Sequence, residues 1–253
     1  MRKFFRRLRN QVYRMIGFAH AIGRHSGHAG RIGQPSFLPM DRLIQPEILD
    51  TLAPNDPAAL HNRRDLRIIN RMMGNPGWFA RSLAATLRPG DRILEIGAGT
   101  GELNRSLAKQ GWPMDGLDLW PRPADWPDGC AWHQADLRTF GGYGEYSVII
   151  ASFILHQFTD PELAALGTKL RGVRAVIACE PLRLQRNQQA WRLLAPVLGA
   201  NFVSRHDAHV SIAAGFRGRE LPRVLGLEDG TWTRDCQETL RGAYRLVAVR
   251  RPA

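Results

Sequence analysis

The stretch Arg92-Ile93-Leu94-Glu95-Ile96-Gly97-Ala98-Gly99-Thr100-Gly101-Glu102-Leu103 narrows the possible folds more than any other part of the chain. An apolar run of strand length enters a glycine-rich turn, and Leu103 and Leu107 then fall on one face of a helix. Glycine at 97, 99 and 101 lets the chain turn with positive φ and lets a ligand come close to the backbone where a Cβ would intrude. The free N–H groups of the following helix favour a carboxylate or a phosphate. This is the pattern of a loop that holds a nucleotide-type cofactor. Its spacing is Gly-x-Gly-x-Gly led by Glu95, whereas the dinucleotide fingerprint is Gly-x-Gly-x-x-Gly. Glu102 also sets a carboxylate where a pyrophosphate should lie, so the loop argues against a dinucleotide. A nicotinamide-dependent oxidoreductase is therefore only an alternative.

The stretch resembles motif I of the class I S-adenosylmethionine-dependent methyltransferases, and the resemblance continues down the chain. In that family the glycine loop wraps the methionyl part of the cofactor, and an acidic residue ending the second strand binds the ribose hydroxyls. The matching residue is Asp118 in Met114-Asp115-Gly116-Leu117-Asp118-Leu119, whose two carboxylate oxygens can accept both hydroxyl protons. An Asp after the third strand meets the adenine amino group in the family, and Asp136 in Gln134-Ala135-Asp136-Leu137 matches it. The resemblance implies S-adenosyl-L-methionine as cofactor, bound by Glu95, Gly97, Ala98, Gly99, Gly101, Asp118, Leu119, Asp136, Leu137 and Ser152. It also implies a Rossmann-like α/β fold: a seven-stranded, mostly parallel sheet with helices on both faces and a C-terminal antiparallel hairpin.

The remaining elements agree with that expectation. Residues 45–52 and 57–73 read as helices, the second with Leu60, Leu66, Ile69, Met72 and Met73 on its apolar face, and a third helix spans 78–87. Strands are expected at 114–119, 130–133, 146–152 and 175–179. A loop with Pro121, Pro123 and Pro127 stands where a helix would usually lie. Asp160-Pro161-Glu162 starts a helix, with an N-cap and Pro at its first position. Residues 184–198 read as helical, 201–212 as an irregular or strand-like insert, and 218–225 as helix. A hairpin over 231–239 and 244–250 closes the pattern. The organisation is a basic extension at 1–39, a helical lid at 40–87 and a cofactor domain at 88–253, with a substrate-side insert at about 184–212.

Composition limits the function classes. No apolar run approaches the length of a membrane span, and Cys130, Cys179 and Cys236 are odd in number and scattered, which fits a reducing compartment. The expected location is the cytoplasm. Of the formal charge of +12, residues 1–39 supply +8 through Lys3 and seven Arg with no acid, which leaves +4 for the rest. The high pI is thus a property of the N-terminal tail. In it Phe4, Phe5, Leu8, Val12, Met15, Ile16 and Ala19 recur at helical spacing. A disordered extension is the favoured reading. A weak contact of residues 1–20 with the inner face of an anionic membrane and an organelle transit sequence are the alternatives. His20, His25 and His28 lack accompanying Cys or carboxylates, so no metal site is expected.

Methyl transfer asks little of side chains, because the sulfonium already makes the methyl group electrophilic; a base is needed only for a protonated acceptor. Two segments offer one. Ser152-Phe153-Ile154-Leu155-His156-Gln157-Phe158 follows the fourth strand and resembles the leucine-histidine segment of quinone-related methyltransferases. There His156 either orients the acceptor or, as the favoured reading, packs the next helix. Ser204-Arg205-His206-Asp207-Ala208-His209 lies in the insert, and His206 or His209 is the preferred base. The segment after the fourth strand lacks the acid or Asn followed by Pro-Pro and an aromatic with which amino-directed DNA methyltransferases stack a flipped base, and it lacks a Pro-Cys nucleophile, so no nucleic acid is expected. The expected acceptor is a small aromatic, polyketide- or quinone-like molecule methylated at O or C. A non-catalytic, cofactor-binding accessory subunit is the remaining alternative.

Overall fold

A computed structural model describes residues 40–252; the basic extension, with its amphipathic segment and three histidines, lies outside the described residues. The described elements are α1 (Pro57–Met73), α2 (Asn75–Thr86), β1 (Ile93–Ile96), α3 (Glu102–Ala108), β2 (Asp115–Asp118), β3 (Trp132–Gln134), β4 (Val148–Ser152), α4 (Asp160–Lys169), β5 (Ala175–Pro181), α5 (Gln185–Val197), α6 (Phe202–Ala214), α7 (Glu220–Val224), β6 (Trp232–Glu238) and β7 (Ala243–Arg250). The strands form one sheet in the order β3-β2-β1-β4-β5-β7-β6. β1 to β5 run parallel, while β7 is antiparallel to both β5 and β6. The expected Rossmann-like α/β sheet with its C-terminal hairpin is the observed one.

Alternation along the strands builds two cores, as a sheet covered on both faces requires. Leu94, Ile96, Ile149, Val176 and Ala178 face one side and meet Leu163 and Leu166 of α4 and Leu221 of α7. Ile93, Val148, Ile150 and Ile177 face the other and meet Trp78, Phe79 and Leu83 of α2 and Leu107 of α3. The chain reverses between β1 and β4 at the centre of the sheet, and the C-terminal ends of these strands form the edge at which ligands of such folds bind. Among the described residues no helix is long and apolar enough to cross a membrane.

Four local expectations need correction. Residues 45–52 make a single 3-10 turn, Leu49–Thr51, because the Ile48 and Leu49 N–H groups are taken by the Asp207 carboxylate and Leu43 N–H by Ala213 O. Residues 201–212 form the regular helix α6: Asn201 caps it by accepting from Ser204 N–H, and Val203, Asp207, Val210 and Ala214 are buried along one face. In α1 the buried positions are Ala59, Asn62 and Asp65, while Leu60 is exposed. Thr159, not Asp160, caps α4, in a capping box with Glu162.

Candidate active site

At the end of β1 the chain turns through Gly97, Gly99 and Gly101, with φ of 65°, 53° and 72°. The three glycines are constrained differently. A Cβ on Gly97 would lie 2.5 Å from Ile154 Cγ1, and one on Gly101 would lie 2.8 Å from Trp126 Cε3. A Cβ on Gly99 would meet only open space, so Gly99 marks where a ligand can approach the backbone. The Gly97 and Ala98 N–H groups donate to Leu117 O at 2.8 and 3.2 Å, which ties the turn to β2. Asp118 completes the tie: its Oδ2 accepts from Gly99 N–H at 2.8 Å and its Oδ1 from Trp120 N–H at 3.0 Å. Each oxygen keeps a second lone-pair position for a ligand hydroxyl. Burial raises the Asp118 carboxyl above its usual range, and the backbone donors of Trp120, Gly99 and Leu119, with the Arg63 charge, oppose that rise.

Beneath the turn lies Glu95, a buried carboxyl on a central strand. It accepts the Asn104 backbone N–H in the first turn of α3, and its Oε2 has no partner. Burial, with the nearby Asp118 charge adding to it, pushes this carboxyl up to about 8, so it carries a proton at neutral pH. An unpartnered buried polar atom beneath a ligand loop is a place for a charged group of the ligand. Glu102, in the first turn of α3, pairs with Arg67 of α1 at 3.3 Å and with Arg105 at 3.1 Å, so α1 is fastened to the start of α3. Arg63 of α1 stacks on Trp120, 4.9 Å from the ring centroid.

The other expected cofactor residues fall along the same edge with different surroundings. Leu119 is 64% exposed beside Asp118. Ser152 closes β4 opposite Cys179. Asp136 follows β3, but its carboxylate is held by Arg138, with Nη2 at 2.6 Å and Nε at 3.0 Å. The Arg138 guanidinium holds the Asp136 carboxyl below the usual range. Leu137 is buried in the core and accepts the Tyr143 hydroxyl through its carbonyl at 2.7 Å.

Across the cleft, the segment after β4 is assembled by groups far apart in sequence. Phe153 has φ of 56°, unusual for a residue with a side chain, and its N–H donates to Cys179 O at 2.9 Å. Fully buried Glu180, in β5, accepts the N–H groups of Ile154, Leu155 and His156 at 3.2, 2.9 and 3.3 Å and contacts His156 Nδ1 at 2.7 Å. The other ring nitrogen, Nε2, lies 3.2 Å from Glu47 Oε1. Glu47 also accepts from Gln157 Nε2 at 3.3 Å and from the Ser211 hydroxyl. Burial alone would lower the His156 pKa, but the two carboxylates outweigh it and raise the imidazole to about 9. With both nitrogens occupied and the ring protonated at neutral pH, His156 has no free position to receive a proton. It clamps residue 47 onto the ends of β4 and β5.

His206 Nδ1 lies 3.1 Å from Asp207 Oδ1, and Asp207 accepts the Ile48 and Leu49 N–H groups at 2.8 and 3.1 Å. His209 sits on the next turn of α6, where its carbonyl accepts from Gln188 Nε2 of α5 at 3.0 Å. Between these groups the sequence reading missed Asp50. It makes no hydrogen bond or ion pair with the described residues. Burial, then the charges of Glu47, Asp207 and Asp118, push its carboxyl up to about 6, and the His156 charge opposes them. Asp50 itself is exposed, on the 3-10 turn that the Asp207 carboxylate holds through the Ile48 and Leu49 N–H groups. Glu47 and Glu180 were also missed: nothing in the local pattern around them announces their partners, which lie 109 and 24 residues away.

Residues 67–212 match the model of a family described as "Methyltransferase domain". No curated protein sequence matches this one. Among solved structures the chain is similar to the plantazolicin methyltransferase BpumL in complex with a pentazolic desmethylPZN analog and SAH, at 11% identity and a TM-score of 0.58 over 78% of this chain and 92% of that one. It is also similar to the plantazolicin methyltransferase BamL in complex with a triazolic analog and SAH, at 8% identity and a TM-score of 0.57 over 80% and 92%. A third similar structure concerns the conversion of a disulfide bond into a thioacetal group during echinomycin biosynthesis, at 20% identity and a TM-score of 0.51 over 70% and 82%. At these identities the likeness is one of fold.

Proposed function

The chain belongs to the methyltransferase-domain family, and from that premise we propose that it transfers the methyl group of S-adenosylmethionine to an oxygen or acidic carbon of a small aromatic, polyketide- or quinone-like acceptor. One observation carries the cofactor part: Gly99 opens onto the cleft beside an Asp118 carboxylate with lone pairs to spare, above a Glu95 oxygen that has no partner. These groups fit the ligand's parts. The turn from Gly97 through Ala98 and Gly99 to Gly101 receives the methionyl portion, Asp118 takes the ribose hydroxyls, and Glu95 offsets the α-ammonium. Leu119 flanks the adenosine and Ser152 the reacting edge. For Asp136 to meet the adenine amino group, its carboxylate has to exchange Arg138 for that amine.

When bound, S-adenosylmethionine supplies a methyl group made electrophilic by its sulfonium. The chain's own residues align the acceptor and remove its proton. His156, Glu180 and Glu47 fix the residue 47–50 segment over the cleft, and Asp50 accepts the proton from a phenol or enol. A base with pKa near 6 is ionised at neutral pH and still basic enough to assist. The neighbouring acids Glu47, Asp118 and Asp207 disfavour a negative charge at the reacting end, so the acceptor arrives neutral there.

Steady-state assays with labelled S-adenosylmethionine and a panel of phenols and enols test this reading. Asp50→Asn should lower kcat by about 10²-fold and remove an acid limb near pH 6, with S-adenosylhomocysteine affinity unchanged. If His206→Ala removes that limb and Asp50→Asn does not, the base is His206. No turnover of any phenol or enol, with the cofactor bound, would reject the acceptor class.

A further inference from the structure

A second feature of the ligand edge takes no part in the chemistry above. Where α1 meets α2, four arginines, Arg71, Arg81, Arg241 and Arg245, line a cavity of about 460 Å³ around Gly74 and Gly77, and among the described residues no carboxylate is in its wall. The cavity lies in the size range of small-ligand sites. Two of the arginines also build it. Arg241 Nη1 donates to Met72 O at 3.3 Å, and Arg245 Nη2 donates to Met73 O at 2.9 Å and to Asn75 Oδ1 at 3.2 Å, so the last carbonyls of α1 are held from the β6–β7 side. The Arg245 guanidinium is stacked on Trp78, 5.2 Å from the ring centroid, and its Nε is buried without a partner. The Arg71 and Arg81 side chains make no hydrogen bond or ion pair with the described residues. The small residues let them in: a Cβ on Gly77 would lie 3.5 Å from Arg81 Nη1, and one on Gly74 would lie 3.6 Å from Arg241 Nη1.

Guanidiniums crowded without an acid repel one another, and that arrangement is relieved by an anion that accepts several N–H bonds at once. Arg42, Arg92, Arg138, Arg174 and Arg183, by contrast, each hold a carboxylate. We propose that the arginine cavity at the α1–α2 turn is a binding site for a phosphate group carried by a small organic molecule. Arg71 and Arg81 are the free clamps, and Arg241 and Arg245 are the fixed wall. β7 lies two strands beyond β4 and three beyond β1, so the cavity is about 14 Å along the ligand edge from the glycine turn, at the usual strand spacing. Resting on the methyltransferase reading, this places a phosphate at one end of an extended acceptor whose neutral end reacts near Asp50. A free phosphometabolite that binds without reacting presents the same chemistry.

Calorimetric titration of the full chain with inorganic pyrophosphate tests the site, with Arg71→Gln/Arg81→Gln as the variant, because neither side chain holds the α1–α2 turn. The wild type should bind pyrophosphate with an affinity that falls as salt rises, and the variant should bind it at least tenfold more weakly. S-adenosylhomocysteine affinity, measured on the same samples, should be equal in both, which separates failure of this site from failure of the cofactor reading. Inhibition of methyl transfer competitive with the acceptor assigns the phosphate to the acceptor. Binding without inhibition assigns it to a free phosphometabolite, and either result upholds the site. No pyrophosphate binding at millimolar concentration, or equal binding by wild type and variant, overturns it.

Discussion

The two sides of the cleft are built by opposite strategies. On the glycine side, Gly97 to Gly101 and Asp118 are brought together by a turn and two adjacent strands, and the contacts span about twenty residues of chain. On the opposite side, Glu47, His156, Glu180 and the α6 pair Asp207 and Ser211 come from four separate segments, joined by hydrogen bonds that span 24 to 164 residues. The first side is rigid because its backbone geometry leaves few alternatives. The second is rigid only while a set of charges remains mutually satisfied. In the proposed function, a cofactor common to many enzymes is thus held by local geometry, and the cover over the acceptor by a tertiary network separate from the cofactor loop.

The sharpest way to break that contrast is to disturb the network at its most connected atom. Glu180→Gln keeps the shape but turns an amide N–H toward the His156 ring and removes the charge opposite it. Truncating one partner of a buried ion pair typically costs about 3–5 kcal/mol, and chemical denaturation should show a loss of that order. The pH dependence gives a second readout. The folded His156 pKa lies near 9, above its ordinary value, so its stabilisation is complete below about pH 6.5 and is lost as pH rises toward 9. Wild-type stability should therefore decline across that window, and Glu180→Gln should show a shallower decline. A variant as stable as wild type, with an unchanged slope, would mean that the network does not hold the cover.

The converse substitution on the glycine side should have a smaller and cleaner effect. Asp118→Ala removes the acceptor for the ribose hydroxyls; at about 1.5–3 kcal/mol for a charge-assisted hydrogen bond, S-adenosylhomocysteine should bind at least about tenfold more weakly. The His156-dependent decline in stability should persist. Should that decline also vanish, the two sides are coupled and the contrast between them fails.

The same contrast explains what the sequence could reveal. The sheet, its hairpin and the placement of Glu95, the glycines and Asp118 follow from local patterns: alternating apolar runs, left-handed turns that require glycine, and an acid at a strand end. Helix α6 was legible too, since Asn201 is a good cap and Val203, Val210 and Ala214 repeat at helical spacing, but the polar run from Ser204 to His209 drew attention from that period. The 45–52 segment was not legible. Its helical pattern is overridden by a carboxylate on another helix, Asp207, which takes the N–H groups a helix would use. Asp50 lies on the 3-10 turn that this override creates, and no rule of spacing reports such a placement.

Glu95 gives the smallest expected effect and the finest test of the glycine side. Its carboxyl is protonated at neutral pH because burial and the Asp118 charge raise it to about 8. An α-ammonium arriving at the unpartnered Oε2 favours the carboxylate, so cofactor binding should release a proton from this residue. The sign follows directly: below pH 8 ionisation must be driven by the ligand, so affinity for S-adenosylhomocysteine should rise with pH, by at most about tenfold per unit, and level off near 8. Glu95→Gln has no proton to lose, so its affinity should vary little over the same range and approach the wild-type value at acid pH. Titration calorimetry at pH 6.5 and 8, in two buffers of different ionisation enthalpy, measures the affinity change and the released proton together. A wild type whose affinity is flat between those pH values, with no proton exchanged, would remove the ammonium from Glu95 and leave the turn and Asp118 to hold the cofactor alone.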